Sequence, residues 1–363
     1  MNSIPIYQPS LTGNEKKYVN ECLDSNWISS KGAFIPAFEN AFSAFCGMPY
    51  ASSVSNGTVA LHLALLALGI GEGDEVIVPT FTYIASVNCI KYTGARSVFV
   101  DSLYSNLQMD PVDVAKKVTE KTKAILAVHL YGHPCDMDAL CSIAKENKLY
   151  LVEDCAEAVG SKYKGKHVGT FGDVATFSFF GNKTITTGEG GMVVTGDHEL
   201  YERMVKLKGQ GLVRQGEYWH DMIGYNYRMT NICAAIGLAQ LEQVDKFLEA
   251  KRIIAGYYKK GLKDVPVLFH DEDADVVHSY WMCSILVEEP EKRDILRNHL
   301  DDKGIETRPF FHPVHSMPMY KREGENFSVA ENLASRGINL PSYPGLKEQE
   351  LEYIIASIND FFS

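Results

Sequence analysis

The sequence predicts an α/β chain in two parts: a large α/β/α domain on a mostly parallel sheet, then a smaller C-terminal α/β domain. Three observations carry this. From about residue 50 to 195, short β-branched runs alternate with stretches of helical periodicity, the pattern of a layered parallel sheet. Residues 232–260 are helical in pattern and low in glycine, which suits one or two helices bridging two domains. Beyond them lie one apolar, strand-like run at 280–287 and helical patterns at 289–303 and 347–362.

Residues 1–30 precede the alternation and supply no strand to it, so they are expected to form an arm packing on the small domain. The large domain is expected over 31–245 and the small one over 246–363. Residues 76–78, 97–100, 124–128, 150–152 and 175–178 are rich in Val, Ile, Leu and Phe, as strands covered on both faces are. Helices are expected between them at 58–68, 84–92, 111–118 and 137–147. A further strand at 192–195 follows a glycine-dense turn and is expected at an edge of the sheet.

Composition narrows the function. The chain has 363 residues, 45% hydrophobic and 22% charged, in the ordinary range of a globular protein with a large core. A net charge of -11 disfavours nucleic acid as the main partner, though it leaves room for a locally basic pocket that takes a small anion. The N-terminus lacks a basic start followed by an apolar stretch, and the most apolar run, 59–70, contains His62 and is too short to span a bilayer. The eight cysteines are scattered with no Cys-x-x-Cys pair, which reads as reduced thiols in the cytoplasm. His129 and His133 are separated by Tyr131 and Gly132 and followed by Pro134, which argues against a helical metal pair; no metal is expected. Gly209-Gln-Gly211 lacks a strand–Gly-x-Gly-x-x-Gly–helix context, so a dinucleotide enzyme is disfavoured.

The chemistry centres on Lys183, in a turn between a strand-like run and a cluster of glycines. Asp154 ends an upstream apolar strand, at the carboxyl end where α/β folds bind ligands. Ser178 lies five residues before the lysine, and Ser55-Asn-Gly57-Thr58 opens an apolar helix. A lysine for a Schiff base, a carboxylate for a pyridinium nitrogen, and a hydroxyl with a helix start for phosphate suggest a pyridoxal phosphate (PLP) pocket. A desolvated lysine has a lowered pKa, so it can act as nucleophile and then as base. Tyr83, just after residues 76–78, is placed to stack on the ring, and Glu157 to reach its 3′-oxygen. Each has an ordinary alternative: a plain N-cap, a satisfied buried Asp, a surface lysine, a core aromatic. Their coincidence in one α/β frame favours the pocket.

These residues resemble the sugar-nucleotide aminotransferases of the DegT/DnrJ/EryC1/StrS family, within the fold type I PLP-dependent transferases. The resemblance runs from about Pro5 to the C-terminus. It rests on Ser55-Asn-Gly-Thr58, Gly73-Asp-Glu-Val-Ile-Val-Pro79, Glu153-Asp-Cys-Ala-Glu-Ala-Val-Gly160, the stretch from Ser178 through Lys183 to Gly191, and Gly224-Tyr-Asn-Tyr-Arg-Met-Thr-Asn-Ile-Cys-Ala-Ala235. Tyr7-Gln-Pro-Ser-Leu-Thr-Gly13, Trp27-Ile-Ser-Ser-Lys-Gly32 and Tyr218-Trp-His-Asp-Met-Ile-Gly-Tyr-Asn-Tyr-Arg228 resemble the members that act on GDP-4-keto-6-deoxy-D-mannose. The resemblance implies that Lys183 carries the cofactor and shuttles the proton, that Asp154 pairs with the ring nitrogen and Tyr83 stacks on it, and that Gly57, Thr58 and Ser178 bind phosphate. It implies that Asn226 reaches the phosphate from a neighbouring subunit, so the active unit is at least a homodimer with shared sites. The family's usual residue at position 157 is Gln or His, so the role of Glu157 is less defined. Ser30, Lys31, Trp219, His220, Arg308 and His315 are candidate substrate contacts, or else surface and core residues. The implied reaction moves an amino group from L-glutamate to C4 of a nucleotide-linked keto sugar through PLP and its pyridoxamine form (PMP). Its product would serve O-antigen or related lipopolysaccharide synthesis. UDP- or dTDP-linked sugars, a PLP sugar dehydratase, and a non-catalytic relative of the same fold are the alternatives; a lysine at 183, where dehydratases carry histidine, argues for amination.

Overall fold

The computed structural model describes residues 3–213 and 217–363. Its N-terminal part contains α1 (Glu15–Asp24), α2 (Phe34–Cys46), β1 (Tyr50–Val54), α3 (Gly57–Ala67), β2 (Glu75–Pro79), α4 (Ala85–Tyr92), β3 (Arg96–Val100) and α5 (Pro111–Lys116). It continues with β4 (Thr122–Val128), α6 (Met137–Asn147), β5 (Tyr150–Asp154), the short β6 (Lys162–Tyr163) and β7 (Lys166–His167), β8 (Val174–Ser178), β9 (Gly191–Thr195), α7 (His198–Lys208) and α8 (Asn231–Leu241). Seven strands form one sheet in the order β1-β9-β8-β5-β4-β2-β3. The run from β8 to β3 is parallel throughout, whereas β9 is antiparallel to both neighbours. Every residue of β2 and β8 is buried, Glu75, Thr176 and Ser178 included, as in strands covered on both faces.

The expected helical stretch at 232–260 is two helices, α8 and then α9 (Val244–Gly261), the second leading into the C-terminal part. There β10 (Val267–Phe269), β11 (Val276–Val277), β12 (Cys283–Val287), α10 (Pro290–Asp302), β13 (Arg308–Pro309), α11 (Ser328–Arg336), β14 (Gly337–Leu340) and α12 (Glu348–Phe362) follow. An antiparallel sheet of order β10-β12-β14-β13 shares a core with α9, α10 and α12 through Ile254, Tyr258, Ile285, Leu296, Ile338 and Ile354. β11 instead pairs with β6, so a strand of the C-terminal part completes a small sheet of the large one. No helix among the described residues is long and apolar enough to cross a membrane.

Several expectations change. β9 is not at the edge: β1 lies outside it, with Ala51 opposite Val194. The N-terminal arm divides its contacts. Ile4 bridges to Ile305 of the C-terminal part, but α1 is tied to the α8–α9 junction, with Asn14 and Tyr18 bonded to Glu242 and Glu15 to Gln240. The strand-like run at 280–287 begins only at Cys283, because Tyr280 adopts a left-handed backbone (φ 49°) that turns the chain ahead of the strand.

Candidate active site

The carboxyl ends of the parallel strands and the loops beyond them enclose a cavity of about 600 Å³. Gly57, Thr58, Tyr83, Asp154, Glu157, Ser178 and Lys183 all line it. All seven cofactor-site residues expected within one chain are thus brought together.

Each is held by its element. Asn56 caps α3 by accepting from the Val59 N–H at 3.0 Å. The N–H groups of Gly57 and Thr58, in the first turn, have no acceptor within the helix. With the helix dipole they can receive a phosphate dianion. Gly57 is required by close approach: a Cβ there would lie 2.7 Å from the Ser178 Cβ and 2.9 Å from its hydroxyl. Asp154, the last residue of β5, is 4% exposed. Its Oδ2 accepts from the Ser86 hydroxyl at 2.7 Å and its Oδ1 from the Ala156 N–H at 3.1 Å. Tyr83 follows β2 and stays open to the cavity, with its ring 5.5 Å from that of Phe311.

Lys183 sits in the turn after β8, with its side chain only 12% exposed. Nζ is 3.6 Å from Oε1 of Glu157, whose Oε2 accepts from the Tyr131 N–H at 2.8 Å. Burial pulls the lysine pKa below its usual value, while the charges of Glu157 and Asp154 oppose the shift. Burial pushes Glu157 up, to about 7, against the pull of Lys183 and the Tyr131 N–H. Burial also raises Asp154, only partly offset by the Ser86 and Ala156 donors. A buried carboxylate bonded to neutral donors is matched by a cationic N–H, and an amine of lowered pKa by a carbonyl carbon. Together with the phosphate receptor and the exposed Tyr83 face, the donor set fits pyridoxal phosphate.

The expected substrate contacts are not gathered at this cavity by the single chain. Lys31, Trp219 and His220 are exposed, with the His220 ring bonded to the Gln210 carbonyl at 2.9 Å, and Ser30 is half-buried. Arg308, on β13, pairs with Glu306 at 2.5 Å. His315 is 7% exposed and turned inward, one ring nitrogen 2.7 Å from the Thr80 hydroxyl and the other 3.0 Å from Glu331, so both are occupied. Asn226 is exposed and does not line the cavity; Arg228 donates to its Oδ1 through Nε and Nη2 at 3.1 and 2.9 Å. Sequence reasoning missed Ser86, one turn beyond Tyr83, and Trp281, which also lines the cavity. His129, Glu153 and Cys155 cluster in the interior, but the carboxylate is already bonded to His129 and to the N–H groups of Gly169, Phe171 and Gly172. That cluster reads as a satisfied buried network.

Residues 9–359 match the model of the DegT/DnrJ/EryC1/StrS aminotransferase family. The chain is 64% identical to the GDP-perosamine synthase of Escherichia coli O157:H7, over the whole of both chains. It is 52% identical to that of Vibrio cholerae, over 99% of each. The fold is similar to the solved structure of Spr1654 from Streptococcus pneumoniae in its PLP-form, with a TM-score of 0.95, 30% identity, and 99% and 98% of the two chains covered. A buried lysine and aspartate lining one cavity, on a mostly parallel sheet in a chain that matches the family model over residues 9–359, leave one conclusion: the chain belongs to the DegT/DnrJ/EryC1/StrS aminotransferase family.

Proposed function

We propose that this chain is a PLP-dependent aminotransferase that moves an amino group from L-glutamate to C4 of GDP-4-keto-6-deoxy-D-mannose, giving GDP-perosamine. The observation that carries the reading is Lys183 in the same cavity as Asp154 and the open start of α3, in a chain with end-to-end relatives that are GDP-perosamine synthases. PLP, when bound, supplies an electron sink for the pair left on carbon when a proton departs. The protein's residues divide the remaining work. The Gly57 and Thr58 N–H groups and the Ser178 hydroxyl would hold the phosphate, and Tyr83 would cover one ring face. Asp154 would keep the ring nitrogen protonated. Lys183 takes a proton at Nζ in the glutamate half of the cycle and returns one in the sugar half. Glu157, with its pKa near 7, can take up charge beside that nitrogen as the lysine changes state.

The discriminating measurement is a panel of GDP-, UDP- and dTDP-linked 4-keto sugars incubated with glutamate, with products read by mass. We expect the amino sugar from the GDP-linked 4-keto-6-deoxymannose and 2-oxoglutarate in equal amount. Preference for a UDP- or dTDP-sugar would overturn the base assignment, and loss of a hydroxyl without gain of nitrogen would point to a dehydratase. The eight free cysteines support a cytoplasmic setting.

The site is proposed to be completed by a second copy of the chain. Arginine has no acceptor, so the Asn226 atom that Arg228 grips is the oxygen, which leaves the amide N–H groups for an external anion. Lys183→Ala and Asn226→Asp proteins, each inactive, are expected to complement when mixed under conditions that exchange subunits. In a mixed dimer one site carries both lesions and the other neither, so about a quarter of the parental activity should return. Demonstrated exchange without recovery, or an active monomer by light scattering, rules out the shared site and leaves the PLP chemistry standing.

A further inference from the structure

Trp281 makes two contacts with the turn that carries Lys183. Its indole Nε1 donates to the Asn182 carbonyl at 2.8 Å, and its ring lies under the lysine, with Nζ 3.8 Å from the centroid. The residue is 4% exposed and belongs to the C-terminal part of the chain. Its own backbone is fixed from behind. Lys251 on α9, fully buried, donates to the Trp281 carbonyl at 3.1 Å and to the Ser342 carbonyl at 2.9 Å. Lys251 also lies 5.3 Å from the ring of Tyr7, and the Tyr7 hydroxyl donates to the Lys183 carbonyl. The Tyr131 ring lies nearly parallel to the indole, at 13° with centroids 6.2 Å apart, and the N–H of the same Tyr131 holds Glu157. Gly132 fits in this layer only because it lacks a side chain: a Cβ would meet the Ser279 hydroxyl at 2.5 Å, the Trp281 backbone nitrogen at 3.0 Å and the Glu157 carbonyl at 3.2 Å, and its φ is +103°.

We propose that Trp281 is a positioning residue for Lys183: the indole N–H pins the turn and the indole face supports the amine, so the C-terminal part of the chain sets where the proton-moving nitrogen sits. This rests on Lys183 being that nitrogen. The amine is then bounded by an aromatic face and a carboxylate, and both favour the ammonium against the pull of burial. The charged and titratable groups around it are Glu157 and Asp154 in the cavity, Tyr7 at its carbonyl, and Lys251 behind the indole.

Two measurements on the full-length chain test this. In cofactor-free protein, the pH midpoint for acylation of Lys183, read by peptide mass, should fall by about one unit in Trp281→Leu, since a desolvated cation–π contact is worth roughly that much. Trp281→Phe keeps an aromatic face and loses the N–H, so its midpoint should stay nearer the parent. In the loaded enzyme, Trp281→Leu should lower kcat about tenfold or more, with KM for the keto sugar within about twofold. A purely structural tryptophan would lower stability and leave the midpoint where it was. The second measurement needs no change at position 281. A chain with Trp27→Phe and Trp219→Phe retains Trp281 alone of its three tryptophans. Its emission should titrate with Lys183 and cease to do so once Lys183→Ala is added. A flat emission across the range where Lys183 acylation titrates overturns the proposal, as does an unchanged midpoint in folded Trp281→Leu protein. If Lys183→Ala retains full activity, the assignment of the lysine fails instead, and the indole contact stands.

Discussion

Replacing Lys183 by alanine should leave a folded protein with turnover lowered by at least about 10³-fold, since one substitution removes both the nucleophile and the proton carrier. The fold should tolerate it. The turn is held through main-chain carbonyls, that of Asn182 by Trp281 and that of Lys183 by Tyr7, and neither contact needs the lysine side chain. Removing a buried amine also removes its desolvation cost. Glu157 loses its partner but keeps the Tyr131 N–H, and burial already favours its neutral form. The stability change should therefore stay within about 2 kcal/mol. The checks are a thermal unfolding curve, the rate of 2-oxoglutarate release from glutamate, and a peptide map of borohydride-treated parental protein. Cofactor mass on the Lys183 peptide is the expected result, and cofactor on a different lysine would end the assignment.

The sheet and the site were legible to different depths for physical reasons. The strands at 76–78 and 124–128 were readable because helices cover both faces of the sheet, so their residues are apolar without alternation, whereas 175–178 runs Ala-Thr-Phe-Ser with every residue buried. α6 was found with its observed bounds, Met137–Asn147, between the Asp136 cap and the left-handed Lys148. β1 was missed because Ser52 and Ser53 occupy fully buried positions; the backbone N–H and hydroxyl of Ser53 are satisfied by Glu39, a partner no local pattern announces. Without β1, β9 looked like an edge strand. The residues expected to hold a cofactor come together in one cavity because Asp154 and Ser178 end strands while Gly57, Tyr83 and Lys183 lie just beyond them, so one topological rule gathers them. Trp281 obeys no such rule. It meets Asn182 from 99 residues away, as Tyr7 meets Lys183 from 176, and such contacts exist only once the C-terminal part and the arm have packed. His315 errs in the opposite sense: its imidazole suits a substrate phosphate or hydroxyl, but folding spends both nitrogens on Thr80 and Glu331.

Asp154→Asn should retain bound cofactor and slow the glutamate half-reaction by about 10²- to 10³-fold, the range seen when one preorganised electrostatic partner is lost. The geometry makes this a clean substitution. Oδ1 of Asp154 accepts from the Ala156 N–H, so an amide must keep its oxygen there to avoid two donors facing each other. Its NH₂ then falls where Oδ2 was, against the Ser86 hydroxyl, which can accept as readily as it donates and has Thr82 at 3.1 Å to receive its own proton. The side chain therefore keeps its position and its hydrogen bonds, and only the negative charge is lost. Burial disfavours that charge, and its neighbours Ser86 and Ala156 need only an acceptor. With PLP bound, the charge would serve to keep a proton on the ring nitrogen, and without it Lys183 would have to take a proton from carbon with less relief for the electrons left behind. Stability should rise or stay level, because a buried charge has been replaced by an isosteric neutral group. Stopped-flow rates with glutamate and cofactor content by absorbance measure the two expectations separately. A near-parental half-reaction rate with cofactor bound would show that Asp154 is a satisfied interior carboxylate and that the ring nitrogen is served by another group.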